Sequence, residues 1–365
     1  MPETSIGVLA VLSLLIWLHL RWGRSNFWRC DQRLPIEVPA LHAWPSVTAI
    51  IPARNEAECI GSSLRSLLPQ DYPGQFRIVV VGERLPEGWS GKLWAIHQGV
   101  QLATGRWPDN RYLLLTDADI QHHPTNLRRL VVKAERRDLV SLMAQLRCQS
   151  FWERLLDPAF IFFQKLYPFT RVNDPARPEA AAAGGCMLVR GQSLKAAGGI
   201  AAIRDCLIDD CALAEQIKAH GSIWLGHAEE TRSLRRYPRL RDFWAMVART
   251  AFTYLDHSPW RLAITIVMMS IIYLVPPAAF LWGIAAADPF VTAVGALTWI
   301  VMVGTFQPTL ALYRMPLAWG LALPVAAILY LLMTVDSARR HWQGRGGLWK
   351  GRTFVRGVRA DLHAE

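Results

Sequence analysis

The chain has 365 residues, 52% of them hydrophobic and 16 of them Trp, with a formal net charge of +11. That apolar fraction exceeds what an ordinary soluble domain carries. The positive charge does not imply a nucleic-acid partner, because no aromatic recognition motif interleaves with the basic residues.

Residues 6–20 are nearly unbroken apolar sequence, followed by Arg21, Arg24 and Arg29. A signal peptide carries its charge before the apolar run, so residues 1–22 read as an uncleaved membrane anchor. Residues 46–51 are a short β-branched strand ended by Pro52, followed by Ala53-Arg54-Asn55-Glu56 and a helix with Ile60, Leu64, Leu67 and Leu68 on one face. A second strand is expected at 78–81, a helix at 92–103, and a third strand at 112–116 running into Asp117-Ala118-Asp119. Residues 127–137 read as a helix and 139–145 as a strand. The run 180–190 is small residues entering a strand, where backbone can approach a ligand closely. Asp209-Asp210 opens a helix over 211–220, a position where acidic residues also serve as ordinary caps.

Three further apolar blocks follow at 262–287, 289–312 and 317–335, each near the roughly 20 residues that cross a bilayer. The expected division is an anchor (1–22), a cytoplasmic domain (23–240), an interfacial helix (241–260), transmembrane helices (261–336) and a basic cytoplasmic tail (337–365). Trp244, Phe252, Tyr254 and Trp260 suit headgroup depth, with plain packing the alternative. The tail carries Arg339, Arg340, Arg345, Lys350, Arg352, Arg356 and Arg359; with anionic lipid as partner, that bias places it inside. An inside tail requires an even number of crossings after the central domain. The block interrupted by Pro276-Pro277 is therefore read either as crossing or as bending back into the interface. Six cysteines without a Cys-x-x-Cys pair or finger spacing read as small buried hydrophobes in a reduced compartment.

Carboxylates at the C-terminal end of a buried parallel strand lie where open α/β sheets bind ligands. Two of them, Asp117 and Asp119, suit Mg²⁺ or Mn²⁺, with substrate phosphates completing the shell. The ordered set Ile51-Pro52-Ala53-Arg54-Asn55-Glu56, Gly91-Lys92 with Ala95 and Gly99, Asp117-Ala118-Asp119, Gly184-Gly185 and Asp209-Asp210 resembles the family-2 inverting glycosyltransferases. The resemblance covers residues 47–249 and implies a GT-A-like α/β fold, a mostly parallel sheet flanked by helices. "LPEGWSGKLWA" and "RSLRRYPRLRDFWAMVARTAF" look like the hopene-associated glycosyltransferases of hopanoid-producing bacteria.

The resemblance implies roles residue by residue. Pro52, Ala53, Arg54, Asn55 and Glu56 would hold the uracil and ribose of a UDP-sugar, and Lys92 would support the nucleotide. Asp117 and Asp119 would bind the metal on the diphosphate. Gly184, Gly185 and Asp209 would line the sugar and acceptor pocket, and Asp210 would be the catalytic base. The family's Gln-x-x-Arg-Trp is reduced to Arg249 as a diphosphate contact, with Arg232, Arg235 and Arg236 as nearer substitutes. The implied function is transfer of a sugar to a lipid acceptor by a multi-pass enzyme of the bacterial inner membrane, its catalytic domain facing the cytoplasm.

One element departs from the family. Its second strand ends in an aspartate, and a helix and a strand precede Gly-Lys-x-x-Ala. Here nine residues, 82–90, separate Val81 from Gly91. A strand-helix unit on the order of 25–30 residues is thus expected to be absent, and its aspartate with it. Glu83 is the carboxylate nearest the gap. The competing reading is a catalytically impaired homologue acting as a membrane scaffold. A transporter is the weaker third, because the apolar blocks lack charged residues of the kind that mark ion paths.

Overall fold

The computed structural model describes residues 2–39, 41–82, 86, 88–165 and 168–344; Glu83 and the tail from Arg345 lie outside them. The described residues divide into two compact units, one within 32–146 and 171–235 and the other within 2–31, 147–170 and 236–344.

The first of these units is built on a seven-stranded sheet in the order β2-β1-β3-β6-β5-β7-β4. The strands are β1 (Val47–Pro52), β2 (Phe76–Val81), β3 (Tyr112–Thr116), β4 (Ile120–Gln121), β5 (Leu139–Gln145), β6 (Cys186–Arg190) and β7 (Ile223–Ser233). The sheet is mixed: β1 runs parallel to β2 and β3, and β5 parallel to β7, while β6 is antiparallel to both β3 and β5 and β4 antiparallel to β7. Most paired positions lie in the parallel ladders, as the α/β expectation requires. β1 and β3 are buried on both faces, which is why they read as continuous apolar runs rather than alternating ones. β2 is an edge strand, with Val80 47% exposed. It is followed after nine residues by the helix Gly91–Arg106.

That helix buries Leu93, Ala95, Ile96, Gly99 and Ala103 on one face. A Cβ on Gly99 would stand 2.4 Å from Ile50 Cγ2, so only glycine lets the helix lie this close to β1. Close packing sets the helix N-terminus, and Lys92 with it, over the C-terminal ends of the central strands.

The other unit is helical, with four segments long and apolar enough to cross a membrane: Ser5–Gly23, Pro259–Ala285, Pro289–Leu312 and Leu317–Trp342. The helix Phe151–Gln164 belongs to this unit, although its sequence lies between sheet segments. Trp17, Phe162, Phe243, Tyr273, Phe306 and Tyr330 are buried in one cluster. Lys165 is buried among them, its ammonium donating to Trp28 O (2.9 Å), Thr309 Oγ1 (2.8 Å) and Cys30 Sγ (3.2 Å). Three donors meet three acceptors, which makes burial of the charge tolerable. Of the four aromatics expected at headgroup depth, Phe252 is buried and Trp244 donates to Asp336 Oδ2 at 2.8 Å, whereas Tyr254 and Trp260 are exposed.

Candidate active site

Strand direction explains why distant motifs meet. β1 and β3 are parallel and in register from Val47 opposite Tyr112, so the loop after Pro52 and the Asp117–Asp119 turn leave the sheet at one edge. β6 runs the other way, with Cys186 opposite Thr116, so the residues before it, Gly184 and Gly185, arrive at that same edge. The helix Asp209–Lys218 adds its acidic first turn.

Lys92 stands at the centre of the group. Its Nζ lies 3.0 Å from Asp117 Oδ1 and 3.0 Å from Asp209 Oδ2. A Cβ on Gly184 would come within 3.0 Å of the same Nζ and 3.3 Å of Asp210 Oδ2, so the glycine makes room for both. Burial works against the ammonium, but Asp117, Asp209 and Asp210 outweigh it and hold Lys92 well above the ordinary lysine range. One lysine does not offset all the carboxylates: burial raises Asp117 despite Lys92, and Asp119 and Asp209 add to the rise.

Asp210 is half-buried. It accepts from the Gly184 amide at 2.9 Å through Oδ2 and from the Cys211 amide at 2.8 Å through Oδ1. Burial and then Asp209 push its carboxyl up, Lys92 and the two amides pull it back, and it settles at about 6. Such a group is ionised at neutral pH and still basic enough to accept a proton as one is released.

Beyond β1, Asn55 adopts φ +53°, an αL conformation that Asn tolerates, and turns the loop 53–56 sharply. The Ala53 amide donates to Val81 O, fixing this loop to the end of β2. The Glu56 carbonyl then accepts from Cys59 and Ile60, starting the next helix. Arg235 Nε donates to Asp119 Oδ2 at 2.8 Å, and its Nη2 lies 3.7 Å from Glu56 Oε1.

A buried relay backs the edge. Asn126 Nδ2 lies 3.0 Å from His122 Nδ1, His122 Nε2 lies 2.9 Å from Thr116 Oγ1, and Thr116 donates to Gly185 O at 2.7 Å. Burial pushes His122 down to about 4, so the ring is neutral. With the amide donating to Nδ1, the ring proton sits on Nε2 and points along the relay. This holds Gly185, and next to it the Gly184 amide on Asp210.

The structure thus brings together Glu56, Lys92, Asp117, Asp119, Gly184, Gly185, Asp209 and Asp210, with Pro52 closing β1 and Ala53, Arg54 and Asn55 on the loop that follows. Lys92 contacts Asp117 and Asp209. Arg249 is in the last turn of the helix Leu240–Thr250, in the other unit. The arginine on Asp119 is Arg235, one of the nearer substitutes. His122 had a legible signal, an imidazole three residues past the Asp-x-Asp turn, but nothing in its spacing shows what it touches. Among the described residues no three His, Cys, Asp or Glu side chains form a protein-only metal site. Asp117 and Asp119 offer carboxylate oxygens, the ligand type that a hard cation takes, beside Lys92 and Arg235.

A charged edge of this kind on an α/β sheet, with the half-buried Asp210 beside Asp117, Asp119 and Lys92, has the chemistry that group transfer requires. The model for glycosyl transferase family 21 matches residues 61–354, and the chain belongs to that family. The glycosyltransferase class read from the motifs is therefore the class of this protein. No curated protein matches the chain. Among solved structures it is similar to the mannosyltransferase PcManGT from Pyrobaculum calidifontis in complex with GDP-Man and Mn²⁺, at 16% identity and TM-score 0.49 over 91% of this chain and 98% of that one. It is similar to glucosyl-3-phosphoglycerate synthase from Mycobacterium tuberculosis with Mn²⁺, UDP-glucose and glycerol 3-phosphate, at 16% identity and TM-score 0.36 over 61% and 86%. S. aureus TarS 1–349 follows at 14% identity and TM-score 0.32 over 82% and 92%.

Proposed function

We propose that the protein is an inverting glycosyltransferase of the bacterial inner membrane, its catalytic unit on the cytoplasmic side, that moves a sugar from a UDP-sugar to a lipid acceptor. The observation that carries this reading is Asp210, held by the Gly184 and Cys211 amides and set by its surroundings at about 6, at the edge that also bears Asp117 and Asp119. Asp210 takes the proton of the acceptor hydroxyl. The oxygen so freed attacks the anomeric carbon in line, the bond to the diphosphate oxygen breaks, and the configuration inverts. Lys92 keeps Asp117 and Asp209 oriented around the reacting centre.

Glu56, Asp117, Asp119, Asp209 and Asp210 form one acidic group. Even with Lys92 and Arg235 counted, it retains excess negative charge, and a diphosphate entering it meets repulsion. Mg²⁺ or Mn²⁺ on Asp117 and Asp119 would offset that charge and stabilise the departing nucleotide. Pro52 to Glu56 hold the uracil and ribose, and Gly184, Gly185 and Asp209 line the sugar and acceptor pocket. Arg249 is a proposed diphosphate contact. The lipid acceptor rests on the four membrane-length helices, and a hopanoid-related acceptor on the two sequence stretches quoted above.

The test is UDP binding by calorimetry, with and without Mn²⁺, followed by sugar transfer to lipid extracts. Asp119→Ala should abolish the metal-dependent binding. Asp210→Asn should retain UDP and lose transfer by about 10²–10⁴-fold, the usual contribution of a positioned base. The scaffold reading is favoured by β2 ending the sheet with a nine-residue link to the next helix. A folded wild type that binds neither UDP nor GDP would decide for it.

A further inference from the structure

Arg235 reaches the donor side of the cluster by a defined route. It stands two residues past β7, and β7 pairs antiparallel with β4, Ser233 opposite Ile120 and Arg232 opposite Gln121. The Leu234 amide donates to the Asp119 carbonyl at 2.7 Å and closes that ladder. The arginine backbone is thereby fixed to the aspartate backbone. From this footing the guanidinium holds Asp119 Oδ2 at 2.8 Å and approaches Glu56 Oε1 at 3.7 Å. The Asp119 side chain is 10% exposed and that of Arg235 is 40% exposed, so the cation is the partner open to an incoming ligand.

A divalent cation arriving at Asp119 meets a carboxylate already engaged by a full positive charge. Two cations at contact distance on one carboxylate repel, which weakens the arginine's hold on the oxygen and favours its release. The released guanidinium stays anchored through Leu234. It is planar, permanently charged and shaped for the paired oxygens of phosphate. We propose, on the reading of this edge as a nucleotide-sugar site, that Arg235 is an exchange cation: it holds Asp119 and Glu56 while no donor is bound, and passes to the donor diphosphate as a divalent cation takes Asp119.

This role has consequences of opposite sign. Toward the cation alone Arg235 is a competitor, and toward the nucleotide it is a ligand. A side chain that only buttressed the loop would weaken both affinities when removed, or neither. Two titrations on the full chain in detergent separate these cases: Mn²⁺ alone, followed by the paramagnetic resonance of the free ion, and UDP at saturating Mn²⁺, by calorimetry. Arg235→Ala should bind Mn²⁺ about tenfold tighter and UDP about tenfold weaker than wild type, about the worth of one charge-assisted contact. Arg235→Gln retains a hydrogen-bonding head without the charge. It should show the same pair of shifts, and it carries the test if the alanine variant melts early. Shifts of the same sign in both titrations, or none in either, overturn the exchange role while leaving the glycosyltransferase reading intact. A wild type that binds no UDP in the presence of Mn²⁺ overturns that reading, and the exchange role with it.

Discussion

Burial and Asp209 push Asp210 up while Lys92 and two backbone amides pull it down, and the balance at about 6 has a kinetic signature. In the proposed role Asp210 works deprotonated, so kcat/KM should rise with pH through about 6 and level off above it. In Lys92→Met the neighbouring positive charge is gone and the carboxyl climbs further. The acid limb should then move up by about one pH unit, the scale of a single close charge; an unmoved limb would mean that Lys92 does not tune the base. A pH series of initial rates for both proteins reads this directly. The residue types at this edge were legible in the sequence because Asp117, Asp119, Gly184, Asp209 and Asp210 occur in a known order. Which side chains meet was not. Lys92 touches Asp117 and Asp209 because Gly99 lets its helix lie against Ile50, a fact of packing rather than spacing. The β4–β7 ladder brings Arg235 to Asp119, a pairing that its spacing in the sequence does not mark.

Elements show the same division between pattern and contact. The strands β1, β2, β3 and β5 are visible as apolar runs, but β7 is not, and no periodicity reveals that β6 inserts antiparallel between β3 and β5 and so delivers the glycines to the site. Pro276-Pro277 left its apolar block open to breaking; the structure carries the helical path through from Pro259 to Ala285 by loosening Ser270–Leu274 into a π-turn. In that register the missing proline amides leave Ile271 O and Ile272 O without intrahelical donors. Ser13 Oγ donates to Ile271 O at 2.8 Å and Trp17 Nε1 to Ile272 O at 2.7 Å. A neighbouring helix thus supplies what the prolines removed, as backbone away from water requires. Trp17→Phe should cost about 1 kcal/mol for the hydrogen bond, beyond any packing change. In a Pro276→Ala, Pro277→Ala background the helix has its own amides for these carbonyls, so the same substitution should cost less. Thermal melts of the four proteins in detergent form the cycle, and an equal cost in both backgrounds would mean the carbonyls do not depend on Trp17.

At the scale of the molecule, the N-terminal helix is built into the core of its unit. A segment that only tethers a protein would turn every side to lipid, yet Trp17 is fully buried, with Ala10 and Leu20 nearly so. Trp17 packs edge-on against Tyr273 at 5.7 Å, and Ala10 is buried with Ala279 and Val291. The sequence marked residues 6–20 by length and apolarity, which define a span but not a partner, because an apolar side chain suits lipid and protein equally well. The two possibilities part on exchange of the segment. Replacing residues 5–20 with a Leu/Ala span of equal length keeps the hydropathy and should leave the protein in the membrane fraction after carbonate extraction. It removes the indole from the cluster, and large-to-small change at such a site costs about 3–5 kcal/mol. The exchanged protein should therefore melt well below wild type and become protease-sensitive in the helices after Pro259. If it instead keeps the wild-type melting temperature, the helix is a tether, and the contacts of Ser13 and Trp17 contribute nothing to holding those helices together.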